Sequence, residues 1–222
     1  MAPPAGFPGT WDRSDPEKPR FVEVDWDPKD DAWMGAEIAG AVVDFVEGAT
    51  LNLVPPAAAG TTATPPGPFT GSVAPGSATV GDGGAAMALA FGTALPATGV
   101  SPADDIAIAT AWANGLGASL STLLLEFPFS GTTLVPAPPA NPIPTPVSGD
   151  MTGAGIVAPG IPVALGILSV ALTADKGMQS NSNTASAIAN AVSAILGACT
   201  ATLASLPPPA GVAAGGAVQG WA

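Results

Sequence analysis

The sequence predicts a mainly α fold with extended proline-rich connectors and a few short strands, arranged as two tandem duplicated modules plus an N-terminal arm. Three observations carry that expectation: an internal repeat, an unusual proline and glycine content, and a charge distribution confined to one end of the chain.

The repeat centres on residues 105–126. Ala109, Ala111, Ala113, Asn114 and Leu120 are matched without a gap by Ala185, Ala187, Ala189, Asn190 and Leu196, 76 residues further on. Upstream, Leu53-Val54-Pro55 recurs as Leu134-Val135-Pro136, and Thr70-Gly71 recurs as Thr152-Gly153, so the features keep their order. A period of this length is too long for the common solenoids, which leaves two duplicated modules.

The 28 glycines and 26 prolines among 222 residues approach the range of disordered chains, but they accompany 47% hydrophobic residues and a mean hydropathy of +0.43. Disordered chains are poor in apolar residues, so the proline is expected in ordered, extended linkers. The net charge is −12, yet only 10% of residues are charged. Residues 1–47 hold 11 of the 17 carboxylates and four of the five basic residues, leaving seven charges for the other 175. A free monomer keeps more charge than that on its surface, which predicts an exterior covered by other subunits.

These features divide the chain into a charged, aromatic arm over 1–31, a first amphipathic helix over 32–52, repeat module 1 over 53–133, repeat module 2 over 134–206 and a Pro/Gly-rich tail over 207–222. In the arm, Phe21-Val22-Glu23-Val24-Asp25-Trp26 alternates apolar and acidic residues as a short half-buried strand does. Phe7, Trp11, Phe21 and Trp26 are the candidate partner-binding residues, because aromatic anchors inside a charged rim supply buried area while the charges fix register. Asp30 or Asp31 then caps a helix, along which Trp33, Ala36, Ala41, Val42, Phe45 and Val46 share a face. Ile38-Ala39-Gly40-Ala41-Val42 resembles Ile188-Ala189-Asn190-Ala191-Val192, which offers this helix as a third relative of the repeated one.

Prolines recur too often over 52–82 for a helix to propagate, so polyproline-like surface backbone is expected there. Residues 83–95 form a short apolar helix ended by Pro96. Ser101-Pro102-Ala103-Asp104 is a helix start, with an N-cap serine, a first-turn proline and a first-turn acid, and the helix is expected to run to Glu126. The second module repeats this order. Its residues 153–174 are uncharged and long enough to cross a bilayer, although Pro159 and Pro162 interrupt them. A last helix is expected from Asn183-Thr184 to Leu206.

Much chemistry is excluded. The chain has no histidine and no tyrosine, and its single cysteine, Cys199, reads as a small buried hydrophobe. Zinc sites need Cys/His sets, no phosphate loop is present, and no basic patch exists to displace counterions from nucleic acid. No catalytic, cofactor-binding or metal-binding residues are assigned, and no cofactor is expected. The expectation is a non-enzymatic structural subunit of a large assembly, a minor, cement or tail-associated protein of a virion or phage-tail-like particle. Its partners would be other subunits of that particle, in a homo- or hetero-oligomer. The alternative is a membrane-associated or cell-surface protein anchored through residues 153–174. The N-terminus lacks the pattern of a secretory signal, so synthesis in the cytoplasm is expected.

Overall fold

A computed structural model describes residues 9–12, 20–23, 28–94, 102–137, 141–174, 181–205 and 210–221. The fold class differs from the mainly α expectation: a closed, six-strand antiparallel β-barrel forms the body, accompanied by five helices. Strands β1 (Gly9–Asp12) and β2 (Arg20–Glu23) form a separate two-stranded sheet. The remaining order is α1 (Pro28–Glu47), β3 (Asn52–Val54), β4 (Ala57–Ala63), β5 (Pro66–Val73), β6 (Ser77–Val80), α2 (Ala85–Ala94), α3 (Pro102–Leu120), β7 (Leu123–Val135), β8 (Ile143–Ile156), α4 (Ile161–Ala174), α5 (Asn181–Gly197), β9 (Thr200–Ser205) and β10 (Val212–Gln219).

Round the barrel the strands run β4-β5-β7-β8-β9-β10, and β10 pairs back onto β4, so the sheet closes and the long row of unpaired edge groups disappears. Strand β3 continues the line of β4 along β10, and β6 continues the line of β5 along β7. The breaks fall at Pro55-Pro56 and at Ala74-Pro75-Gly76, where prolines interrupt the ladder. Residues 52–82 are thus barrel wall, not polyproline connector. Pro144 and Pro146 stand in the part of β8 that pairs with β7 alone, because β9 joins β8 only from Met151 onward. A missing N–H is tolerated at such an edge.

Four other expectations are corrected. α3 ends at Leu120 instead of Glu126, and α5 ends at Gly197 instead of Leu206, because the apolar runs that follow them alternate in and out as strands do. Leu123, Leu125, Phe127 and Phe129 of β7 are buried, while Leu124 and Glu126 point outward. Residues 153–174 are divided among the end of β8, a 3-10 turn at Ala158–Gly160 and the 14-residue α4. The glycine-rich tail supplies β10, the strand that closes the barrel.

A six-strand barrel has a narrow interior, since even eight strands leave room only for side chains. Large inward residues therefore alternate with glycine. Gly71 and Gly131 lie opposite one another in register, and a Cβ on either would sit 2.6 Å from Cζ of Phe69. The Phe69 ring fills the space over both and meets Phe129 edge-on at 5.5 Å. At the hairpin end the buried hydroxyls of Thr62 and Thr133 bond to each other at 3.0 Å, and Thr133 donates to the Pro68 carbonyl at 3.1 Å.

The elements repeat as helix, hairpin, helix. α1 precedes the broken hairpin β3/β4–β5/β6 and is followed by α2; α3 precedes β7–β8 and is followed by α4; α5 precedes β9–β10. Pro28, Asp30 and Asp31 at the start of α1 correspond to Pro102, Asp104 and Asp105 at the start of α3. Every helix–strand junction lies at one end of the antiparallel barrel, so the helices gather there and pack side by side in the order α1-α2-α3-α4-α5. Small residues set the spacing. A Cβ on Gly35 of α1 would clash with the α2 backbone at Ala88 and Gly92, and one on Gly115 of α3 would lie 2.3 Å from the Ala90 methyl. Trp112 of α3, fully buried, meets Phe91 of α2 edge-on at 5.2 Å. Its α5 counterpart Ile188 is buried too.

Candidate functional site

The described residues contain no group of three or more His, Cys, Asp or Glu side chains able to hold a metal. Several of their polar groups are committed to structure. Asp82 sits in the turn between β6 and α2, where Gly83 and Gly84 take φ of +60° and +81°. Its carboxylate accepts from the backbone N–H groups of Gly84 (2.9 Å) and Ala86 (3.1 Å) and from the Ser119 hydroxyl (2.7 Å). Ser119 also accepts from Met87 N–H at 3.1 Å, so one network caps α2 and ties it to the end of α3. Burial alone would raise the Asp82 pKa, but the Ser119 hydroxyl and these N–H groups outweigh it and leave the carboxyl below its ordinary value.

Other hydroxyls and carboxylates are similarly occupied. Glu47 at the end of α1 accepts from Val80 N–H at 2.9 Å, and Ser205 accepts from Val212 N–H at 3.1 Å. Cys199 lies in the turn between α5 and β9, not on a helix, and burial pushes its thiol up to about 11, where little reactive thiolate forms at neutral pH. These arrangements hold elements together; none presents a nucleophile beside a base.

What the fold does present is an apolar exterior. On the helices Leu89 of α2 is 67% exposed, Val163 and Val170 of α4 are 55% and 69% exposed, and Ile106 of α3 is 52% exposed. A shallow open hollow runs along α4, lined by Pro162, Val163, Gly166, Ile167, Val170 and Ala174. Neither α2 nor α4 contains a charged residue. On the barrel Leu124 and Ile156 are exposed at the helix end, and Leu134 and Ile143 at the hairpin end. Monomeric soluble proteins rarely leave large contiguous apolar patches uncovered, and along α4 Val163 and Val170 line one such hollow.

The sequence-derived partner residues are placed only in part. Trp11 of β1 and Phe21 of β2 are register partners across the two-stranded sheet, whereas Phe7 and Trp26 lie outside the described residues. The exposed side chains of α2 and α4 were not singled out from the sequence. The available signal was the complete lack of charge in two segments short enough to be surface helices. No protein family model, curated protein or solved structure matches this chain.

Proposed function

We propose that the protein is a non-enzymatic structural subunit of a large protein assembly, and that the outer face of its helical layer is covered there by neighbouring subunits. The observation that carries this reading is the exposure of Leu89, Val163 and Val170 on two helices that hold no charge. Burying such side chains between subunits is worth about 1.5–3 kcal/mol each. The charge-poor stretch beyond residue 47 supports the same reading. The kind of particle proposed is a virion or phage-tail-like structure, in which this chain would take a minor, cement or tail-associated place. Its Ala/Gly/Pro-rich composition and charged aromatic arm support that choice. The anchor read in residues 153–174 is not carried further, because the stretch is split between strand and helix. No helix among the described residues is long and apolar enough to cross a membrane.

The test is a single charge on the exposed face. Val170→Lys leaves the fold intact, because the side chain is already exposed, and is expected to break self-association or incorporation into the native particle. Sedimentation velocity of the parent and variant chains reads the result; identical assembly of the two would overturn the covered-face reading.

A further inference from the structure

α2 and α4 hold equivalent places in the first and second repeat units, and their packing fixes the register between them. A Cβ on Gly84, just ahead of α2, would meet Val43 of α1 at 2.9 Å, and one on Gly117 of α3 would meet Ile161 of α4 at 2.6 Å. Val43 and Gly117 are counterparts in the alignment that pairs Pro28 with Pro102, so Gly84 and Ile161 are counterparts, 77 residues apart. Buried Met87 and Phe91 then match buried Ala164 and Leu168, as a single register requires. The outward row follows from it. Ala85, Leu89 and Thr93 on α2 stand where Pro162, Gly166 and Val170 stand on α4, and all six are exposed.

At the middle of that row the two helices carry opposite shapes. Leu89 is 67% exposed and stands out from α2 between an alanine and a threonine. Its counterpart Gly166 has no side chain, and a Cβ built there would meet no atom within 4 Å. Gly166 lies in the hollow that Pro162, Val163, Ile167 and Val170 also line. One chain therefore presents a knob and a hole of the same apolar chemistry, on two helices that hold no charge.

We propose that the occupant of the α4 hollow is Leu89 of a second copy of this chain. The inference rests on the covered-face reading above and names the partner for it. A foreign subunit seated in the hollow would leave Leu89 in water, whereas a second copy covers both features with one kind of contact. Charge favours the same occupant. Two chains of net charge −12 repel where their carboxylates meet, but 11 of the 17 lie in residues 1–47, and α2 against α4 brings two uncharged helices together. The chain's own arm is the poorer fit, because nine of residues 1–27 are charged and an apolar hollow offers those groups no partner. Since knob and hole lie on different helices, the contact is head-to-tail. Each copy gives Leu89 to one neighbour and its hollow to another, so assembly continues into a closed ring or an open filament.

The test uses two full-length variants that keep the fold, because both sites are exposed. Leu89→Ala removes the knob and keeps the hole; Gly166→Leu fills the hole and keeps the knob. In sedimentation velocity the parent chain is expected to assemble as its concentration rises, and each variant alone to associate at least roughly tenfold more weakly. Mixed in equal amounts, the two variants are expected to form heterodimers that grow no further, since the pair joins the one intact knob to the one intact hole. A monomeric parent, or a mixture that associates no better than the single variants, overturns the proposal. Assembly that appears only when residues 1–27 are deleted overturns it as well, and assigns the hollow to the chain's own arm. The covered-face reading is judged separately, by incorporation into the native particle. Loss of Val170→Lys from the particle while Leu89→Ala and Gly166→Leu enter it as the parent does would leave that reading standing and remove the second copy as partner. Entry of all three variants at the parent's level would overturn both.

Discussion

α3 and α5 share Ala, Ala, Asn and Leu at matched positions, yet the same alanines are core on one helix and surface on the other. Ala113 is 1% exposed in α3, and its counterpart Ala189 is exposed in α5. The difference teaches that a small-residue stripe becomes core only when a neighbour helix arrives to use it. Burial at these positions is a property of the layer and not of the helix.

The largest expected effect lies at the centre of the layer. Trp112→Ala should cost about 3–5 kcal/mol, because removing a fully buried indole leaves a cavity beside Phe91 of α2. Trp112→Phe sharpens the reading. The indole Nε1 has no acceptor in the structure, so the phenyl ring gives up no hydrogen bond, and a loss under about 1.5 kcal/mol is expected. Denaturant unfolding checks both. A loss within about 0.5 kcal/mol for Trp112→Ala would mean that the layer does not pack on this residue.

Next is the matched pair that tests the comparison itself. Ala113→Leu forces a larger side chain between α3 and α4 and should cost about 1–3 kcal/mol. Ala189→Leu makes the same change on the open side of α5 and should stay within about 0.5 kcal/mol. Equal losses at the two sites would break the comparison and show that the α5 stripe is already covered in solution.

The helices were more legible in the sequence than the barrel, for physical reasons. The Ser-Pro-Ala-Asp signature places the start of α3 at Pro102, and the uncharged run before Pro96 contains α2. Strand signals were masked in two ways. In β7 the outward Leu124 is as apolar as its inward neighbours Leu123 and Leu125, so the run reads as a continuation of α3. In β5, β8 and β10 many inward positions, such as Gly67, Gly71, Gly153 and Gly216, carry no side chain at all, and alternation vanishes. A narrow barrel selects residues of low β propensity, so closure decides what local preference does not. The exposed helix face was illegible because an apolar segment reads alike whether the core or a partner covers it.

The smallest expected effect contrasts the two joints on either side of α3 and α4. At the α2–α3 joint the Asp82 carboxylate bonds to Ser119 and to two backbone N–H groups, whereas at the α4–α5 joint the counterpart of Ser119 is Ile195, packed against Gly160. One joint should therefore respond to acid and the other should not. The folded-state pKa of Asp82 lies below its unfolded value, so the unfolded chain binds the proton more readily. Its contribution is fully present above the unfolded value, near pH 4, and is lost as pH falls through the lower, folded value. Asp82→Ala should cost about 1 kcal/mol at neutral pH, the usual worth of an N-cap acid, and should flatten the acid limb of the stability profile. Ile195→Val should lower stability by a similar amount at every pH and leave that limb unchanged. Urea unfolding from pH 7 down to 3 compares the two. An acid limb that survives Asp82→Ala unchanged would move the titrating group elsewhere, to the other carboxylates, and leave the α2–α3 joint held by packing alone.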